Sequence, residues 1–403
     1  MSDLQLQFNQ KPKQAPKQRP KQAFNLFQWI KINLFSSWFN SLLTIFSLLL
    51  SGYILTNTFV WIAFEANWAV ISANFKLLAV GQFPVEDIWR LWVSLSYTTL
   101  LLGLTWGIWR GTAKLPALFV SATMAIVALM PFIQGDTRLW LIANIAITFV
   151  GFGLGLKFEK LNKIAIVAWV LLFPFVMFLL KGFGVLSPVN SNLWGGFLLT
   201  LLIALVSIVV SFPLGILLAL GRRSKLPIVK YFSILYIELI RGIPLITVLF
   251  ISQLMLPLFL GNDVELDNVT RAMIGFTLFN AAYFAENIRG GLQSLPRGQF
   301  EAAQALGLNH TLMMTFIIMP QALRTVIPAM VGQCIALFKD TSLVGIIGLI
   351  DLLGMGKKII ANPQFLGTQM EVFVFIATIF FAFCYLMSYM SRQLEKALGV
   401  GER

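Results

Sequence analysis

Two acid–base pairs stand out in long apolar stretches that otherwise hold few ionisable side chains. Glu238 and Arg241 lie three residues apart, as do Glu286 and Arg289, so on a helix each pair shares a face. Ionisable groups inside apolar spans cost free energy and face either a partner or a wet cavity. Each pair therefore serves as a local ion pair at a helix end or as part of a path or gate for a polar solute; spacing alone does not separate the two. Asn280 and Tyr283, midway along an apolar stretch, are lining candidates of the same kind, with packing as the alternative. Lys339-Asp340-Thr341-Ser342 interrupts a third stretch and is followed by a further apolar run, Gly345 to Ile350. That pattern predicts a backbone break at membrane depth, which is tolerated only where protein buries it or it lines a cavity. A cation, a carboxylate and two hydroxyls suit a ligand with both charges, or an internal pair that shapes a gate.

Catalytic and metal chemistry find no comparable footing. His310 is the only histidine and has no metal or catalytic companion, and Cys334 and Cys384 lie far apart in apolar segments as small core residues. There is no HExxH, no GxSxG and no GK[ST]; Gly354-Met355-Gly356-Lys357-Lys358 lacks the hydroxyl residue after its lysine. If nucleotide hydrolysis drives this protein, another chain performs it. Gly151-Phe152-Gly153-Leu154-Gly155 lacks the third glycine and the preceding strand of a dinucleotide site, and reads as helix packing through small residues.

The elements that hold these residues are membrane spans. Of 403 residues 58% are hydrophobic and only 12% charged, against roughly 25% charged in globular proteins. Apolar runs of about the ~20 residues that cross a bilayer recur along the chain, without the alternation of a barrel strand. The fold class is thus all-α polytopic, with about ten transmembrane helices expected at 41–64, 90–109, 115–133, 138–156, 163–181, 194–220, 231–260, 270–288, 316–338 and 371–391. The net charge of +13 belongs to topology and not to nucleic acid, because the cations collect in alternate loops. Arg110 and Lys114, then Lys157, Lys160 and Lys163, then Arg222, Arg223, Lys225 and Lys230, and finally Arg392, Lys396 and Arg403 fall on one side. Glu65, Glu86, Asp87, Asp136, Asp263, Glu265 and Asp267 fall on the other, so both termini are expected in the cytoplasm. Within spans, Pro213, Pro244, Pro257 and Pro328 each remove a backbone donor and predict kinks or breaks. Residues 1–31 read as a disordered basic cytoplasmic tail with a weaker capacity to attract anionic lipid. Residues 32–190 read as a scaffold of about five spans, separated by a connector at 188–193 from a second set of five over 191–395, with a cytoplasmic C-terminus at 396–403.

Between the eighth and ninth spans lies the longest polar stretch after the tail, and within it GQFEAAQALG favours a helix that Gly307 can end. A short helix held there could dock into a soluble partner or simply lie on the surface. Glu301-Ala302-Ala303, three residues, Gly307, nine residues, then Ile317 and Pro320 resemble the EAA loop of bacterial ABC import permeases, with Met319 in place of the usual Leu. Leu239 to Leu245, Ala281-Ala282-Tyr283 through Glu286 to Arg289-Gly290-Gly291, and Leu337 to Leu343 are similar to the polar amino acid permeases over roughly 190–395. More weakly, 30–190 and the phrase at 213–224 resemble the longer permeases of general L-amino-acid uptake systems.

This resemblance implies a type I importer core with its coupling loop at 289–315 and ATPase-coupling residues Glu301, Ala302, Ala303 and Gly307. It implies a transport subunit without enzyme activity or a cofactor of its own, working with a second similar permease, two ATPase subunits that bind ATP and Mg, and an extracytoplasmic binding protein in a bacterial inner membrane. An amino acid, bearing a carboxylate and an ammonium, would pass Asn280, Tyr283, Glu286, Glu238, Arg241 and Lys339 to Ser342. The competing reading is a secondary amino acid transporter driven by an ion gradient, which would show inverted repeats and midplane ion ligands; no repeat between the halves is evident.

Overall fold

The structure, a computed structural model, describes residues 26–111, 113–261 and 266–399. The chain divides into two units, Met1–Ala66 and Asn67–Arg403. Of the basic tail, residues 1–25 lie outside the described residues, while 26–31 belong to helix α1 (Leu26–Asn33), a correction to the tail expected there. The apolar Leu26, Phe27, Trp29 and Ile32 give that segment a helical character which the lysine-rich run before it lacks. Helix α2 (Trp38–Val60) opens on Ser37, whose hydroxyl accepts from the Asn40 amide at 3.2 Å, and passes into one π-turn at Trp61–Glu65. None of its residues is buried within the protein, as suits a helix whose solvent is lipid.

The second unit starts with two short helices, α3 (Ala69–Ala73) and α4 (Phe75–Val80), followed by α5 (Ile88–Trp109), α6 (Lys114–Leu129), α7 (Gly135–Lys157) and α8 (Asn162–Lys181). Helices α5 and α7 cross at backbone contact. A Cβ added at Gly103 would lie 1.9 Å from the Thr148 carbonyl oxygen, and one at Gly155 would lie 2.4 Å from that of Leu104. Two small-xxx-small faces, Gly103 with Gly107 and Gly151 with Gly155, thus interlock, the arrangement by which helices pack where water supplies no driving force. Buried Asn144 accepts from Thr99 at 3.1 Å in the same seam.

Next come α9 (Gly196–Arg222), α10 (Pro227–Gly242), α11 (Leu245–Phe250), α12 (Leu256–Leu260) and α13 (Asn268–Ser294). They are followed by α14 (Arg297–Ala305), α15 (His310–Met313), α16 (Met319–Asp340), α17 (Leu352–Ile360) and α18 (Gln369–Ala397). Seven described helical spans are long and apolar enough to cross a membrane. An eighth is the broken pair from α10 to α12, bent by 111°. The break follows from Pro244, which cannot donate and which holds Ile243 extended at φ −117°, ψ 148°. Helices α9 and α16 run on through Pro213 and Pro328, so of the four prolines only Pro244 and Pro257 mark irregular backbone. The expected break at 339–342 is likewise absent: α16 tightens directly into a 3₁₀ segment, Thr341–Ile347.

The connector at 188–193 is not a break in packing. Val189 and Trp194 share one apolar core with Phe83 and Leu180 before them and with Leu199, Ile203, Val269 and Phe276 of α9 and α13 after them. SPVNSN reads as a boundary by composition, but its own Val189 and the Trp194 just past it turn inward.

Candidate functional site

Three helix ends converge on a cluster of five charges. Arg222 at the end of α9 meets Glu238 of α10 at 2.8 Å and Glu286 of α13 at 3.8 Å. Arg241, in the last turn of α10, approaches Glu286 at 3.4 Å, and its guanidinium carbon stands 5.8 Å from the centre of the Tyr283 ring. Arg289 donates its Nε to Glu286 at 2.9 Å and adds a second bond through Nη2. Both sequence-predicted pairs are therefore brought together, though Glu238 and Arg241 do not bond each other. Glu238 goes to Arg222, a residue first read only as a topological charge, and Glu286 becomes the hub for three arginines.

The coupling loop sits on the same helix ends. Helix α14 carries Glu301, Ala302 and Ala303; only Ala303 is buried, while Glu301, Ala302 and Leu306 face outward. Its end is a Schellman closure, with the Gly307 amide donating to the Gln304 carbonyl (2.9 Å) and the Leu308 amide to that of Ala303 (3.2 Å). This geometry requires φ +73° at Gly307, whose missing Cβ would otherwise meet open space. Beneath α14 an apolar cluster joins Ala303 to Ala219 of α9, Ile237 of α10, Ala285 and Ile288 of α13, and Met313 and Ala322 of α15 and α16. Ile237, Ala285 and Ile288 are sequence neighbours of Glu238, Glu286 and Arg289. The seat of the coupling helix and the ion-pair cluster are thus two faces of the same helical turns, and Arg223, 5.7 Å from the Phe300 ring, ties α9 to α14 directly.

Further along α13, buried Asn280 accepts from Gln333 of α16 at 2.9 Å and donates to the Phe276 carbonyl at 3.0 Å, so its amide links two helices. Gln333 carries no signal in the sequence beyond being a polar residue in a span. At the far end of α16, Lys339 and Ser342 line a cavity of about 240 Å³ with Leu353, Phe373, Ile376, Ala377 and Phe380. Thr341 is buried and spends its hydroxyl on the Phe338 carbonyl (2.7 Å), whereas Asp340 is half-buried beside them. The Lys339–Ser342 group is therefore at the opposite end of α16 from the five-charge cluster, and the two are separate places along one helix bundle.

A second polar knot, not foreseen, closes that opposite end. Pro257 has no amide to offer the Gln253 carbonyl four residues earlier; Arg271 of α13 donates to that carbonyl instead, at 2.7 Å, across the π-turn Ile251–Met255. The Gln253 amide bonds Asn268 (3.0 Å), which bonds Asn192 in turn (3.2 Å). Asp267 caps α13 by accepting from the Thr270 amide at 2.8 Å and pairs with Lys181 of α8. Burial pushes the Asp267 carboxyl up, but Lys181 and the cap bond outweigh it and hold it below the usual carboxylate value.

Residues 211–400 match the family described as the binding-protein-dependent transport system inner membrane component. The inner membrane amino-acid ABC transporter permease protein YhdY of Escherichia coli is 38% identical over 93% of this chain and 93% of its own. The glutamate/glutamine/aspartate/asparagine transport system permease protein BztC of Rhodobacter capsulatus is also 38% identical, over 92% and 93%. The probable glutamine ABC transporter permease protein GlnP of Bacillus subtilis is 36% identical over half of this chain and 92% of its own. With two such relatives matched over nine-tenths of its length, the chain belongs to this family of multi-pass inner-membrane permeases of ABC importers.

Proposed function

We propose that the chain carries amino acids into the cytoplasm as one of two permease subunits, the second similar to it. ATP and Mg are bound by two partner ATPases, and the amino acid arrives from an extracytoplasmic binding protein. Both termini face the cytoplasm. The observation that carries the reading is α14: a short capped helix, exposed along Glu301, Ala302 and Leu306, anchored by Ala303 on the turns that hold the five-charge cluster. In this reading Glu301, Ala302, Ala303 and Gly307 engage the ATPase, and Glu238, Arg241, Glu286, Tyr283 and Asn280 line or gate the inner path. Lys339, Asp340, Thr341 and Ser342 serve its outer end. A load on α14 moves α9, α10 and α13 together through their shared apolar seat, and the differential affinity of ATP for the closed ATPases biases that shift. An ion-gradient carrier would leave α14 without a task.

The test is affinity purification of the tagged chain from native membranes in mild detergent, with and without Gly307→Asp. An aspartate tolerates the left-handed backbone better than most residues and meets no atom there, so insertion survives, while a new charge sits on the docking end. The unaltered chain is expected to bring down an ATPase and a second permease, and the variant to lose the ATPase alone. Equal recovery of the ATPase with both would overturn the coupling assignment.

A further inference from the structure

We propose that Arg241 is a carboxylate-binding site at the inner end of the path, and that the carboxylate it takes is the α-carboxylate of the amino acid being released. The inference deepens the proposed function and rests on it. The five-charge cluster holds three guanidinium groups and two carboxylates. Both carboxylates are already engaged by another arginine: Glu286 takes two bonds from Arg289, and Glu238 takes Arg222 at 2.8 Å. Arg241 is left with one oxygen of Glu286 at 3.4 Å, longer than the ~2.7–2.9 Å of a good charge-assisted bond. Its Nε is buried and has no hydrogen-bond partner among the described residues. The planar fork that arginine offers to a carboxylate is therefore unused on its Nε edge.

The surroundings suit a small zwitterion. Arg241 is the penultimate residue of α10, immediately before the break at Ile243 and Pro244, and discontinuous spans are where transporters build ligand sites. Its side chain is 33% exposed as a whole while the Nε itself is covered, so a carboxylate seats on that edge once the guanidinium turns outward. The Tyr283 ring supplies an apolar face against which a Cα and side chain can rest.

The experiment uses the whole complex in nanodiscs without its binding protein. A mixture of radiolabelled L-amino acids is equilibrated with it, and the retained label is measured for the unaltered complex, Arg241→Gln and Arg241→Lys. Arg241→Gln is expected to weaken retention on the order of tenfold or more, because a charged bidentate contact is lost. Arg241→Lys, which keeps the charge without the fork, is expected to fall between. On the unaltered complex, unlabelled amino acids should displace the label, while their α-carboxamides and inorganic phosphate should not. Retention indifferent to Arg241→Gln overturns the site, as do carboxamides that compete as well as the acids. Phosphate competing equally also overturns it, showing a general anion site. If Arg241→Gln fails to assemble, Arg241→Lys decides with the carboxamide competition, and retention by Arg241→Lys equal to that of the unaltered complex overturns the site. Import of the same mixture into proteoliposomes with binding protein and ATP is read separately. Import without any retained label overturns the carboxylate site only; absence of both import and retention overturns the proposed function with it.

Discussion

Asp267 holds two tasks that can be pulled apart. Its carboxylate caps α13 through the Thr270 amide and pairs with Lys181 at the end of α8. Asparagine is as good a cap as aspartate but carries no charge, so Asp267→Asn keeps the first task and removes the second. Because the folded carboxyl is held below its ordinary value of 3.8, the charge pair contributes stability that is fully present above that value and lost as pH falls through the folded value. At pH 7 the variant is expected to be less stable by about 0.5–1 kcal/mol, the range of partly exposed pairs. The gap should begin to narrow as pH drops below about 4; thermal unfolding of both proteins from pH 7 to pH 3 measures it, and a gap that does not narrow at all over that interval would rule out the ion pair as its source. Much at this scale was legible in the residue types: i, i+3 spacing put Glu286 beside Arg289, and the EAA pattern located a helix ended by Gly307. What could not be read was pairing between spans. Glu238 has Arg241 within reach along its own helix yet binds Arg222, sixteen residues back, because three helix ends meet there. Likewise Arg271 answers a vacancy created by Pro257, and nothing in local spacing joins those two residues.

At the scale of elements, the glycines of α7 separate a packing role from mere composition. Gly151, Gly153 and Gly155 look equivalent along the sequence, but helical geometry turns only the first and third toward α5. A Cβ at Gly155 would lie 2.4 Å from the Leu104 carbonyl oxygen and 2.9 Å from the Gly107 Cα, all backbone that cannot swing aside; at Gly153 it would meet nothing within 4 Å. Gly155→Ala is therefore expected to push α5 and α7 apart at a cost of about 1–3 kcal/mol. Gly153→Ala should be neutral or slightly stabilising, since alanine is the better helix former. Melting temperatures of the two purified variants in one detergent decide the matter, and equal losses would mean that the crossing does not depend on glycine. The same geometry explains why small residues were readable as packing while their partner was not: Gly103 and Gly107 lie in a span separated from α7 by α6. Element positions themselves were legible, because apolar runs and proline chemistry are local. Irregularities were less so. Proline 213 and proline 328 sit in helices that continue, and the polar run at 339–342 tightens the backbone without breaking it, since Thr341 returns its hydroxyl to the Phe338 carbonyl.

For the molecule as a whole, helix ends that touch must lie at one face of the membrane, and this fixes which elements cross. Arg90 near the start of α5 donates to the Ser187 carbonyl beyond the end of α8 at 2.7 Å, while Trp109 at the other end of α5 donates to Asn162 at the start of α8, also at 2.7 Å. Phe75 of α4 packs on Phe132, just past α6, with ring centres 5.6 Å apart, and Gly81 after α4 lies against Gly195 at the head of α9. Residues 75, 81, 132, 187 and 195 therefore belong to one face, and 109 and 162 to the other. Helix α6 has only 16 residues, about 24 Å of rise against the ~30 Å of a hydrocarbon core. It nonetheless runs from the Trp109 side to the Phe132 side, so it crosses despite its length, at the modest cost of local thinning. Counting α6 and α13 among the crossings puts the basic turns after α5, α7 and α9 on the side of the coupling helix. The expected outcome is read by single cysteines in a chain whose Cys334 and Cys384 have been replaced by serine. A membrane-impermeant maleimide applied to intact spheroplasts should label Asp136→Cys at the start of α7, and should label Lys160→Cys beyond its end only after the membrane is opened. Labelling of both from outside would mean that α7 does not cross, and the reverse pattern would place the coupling helix on the face away from ATP, which no ATPase-driven importer could use.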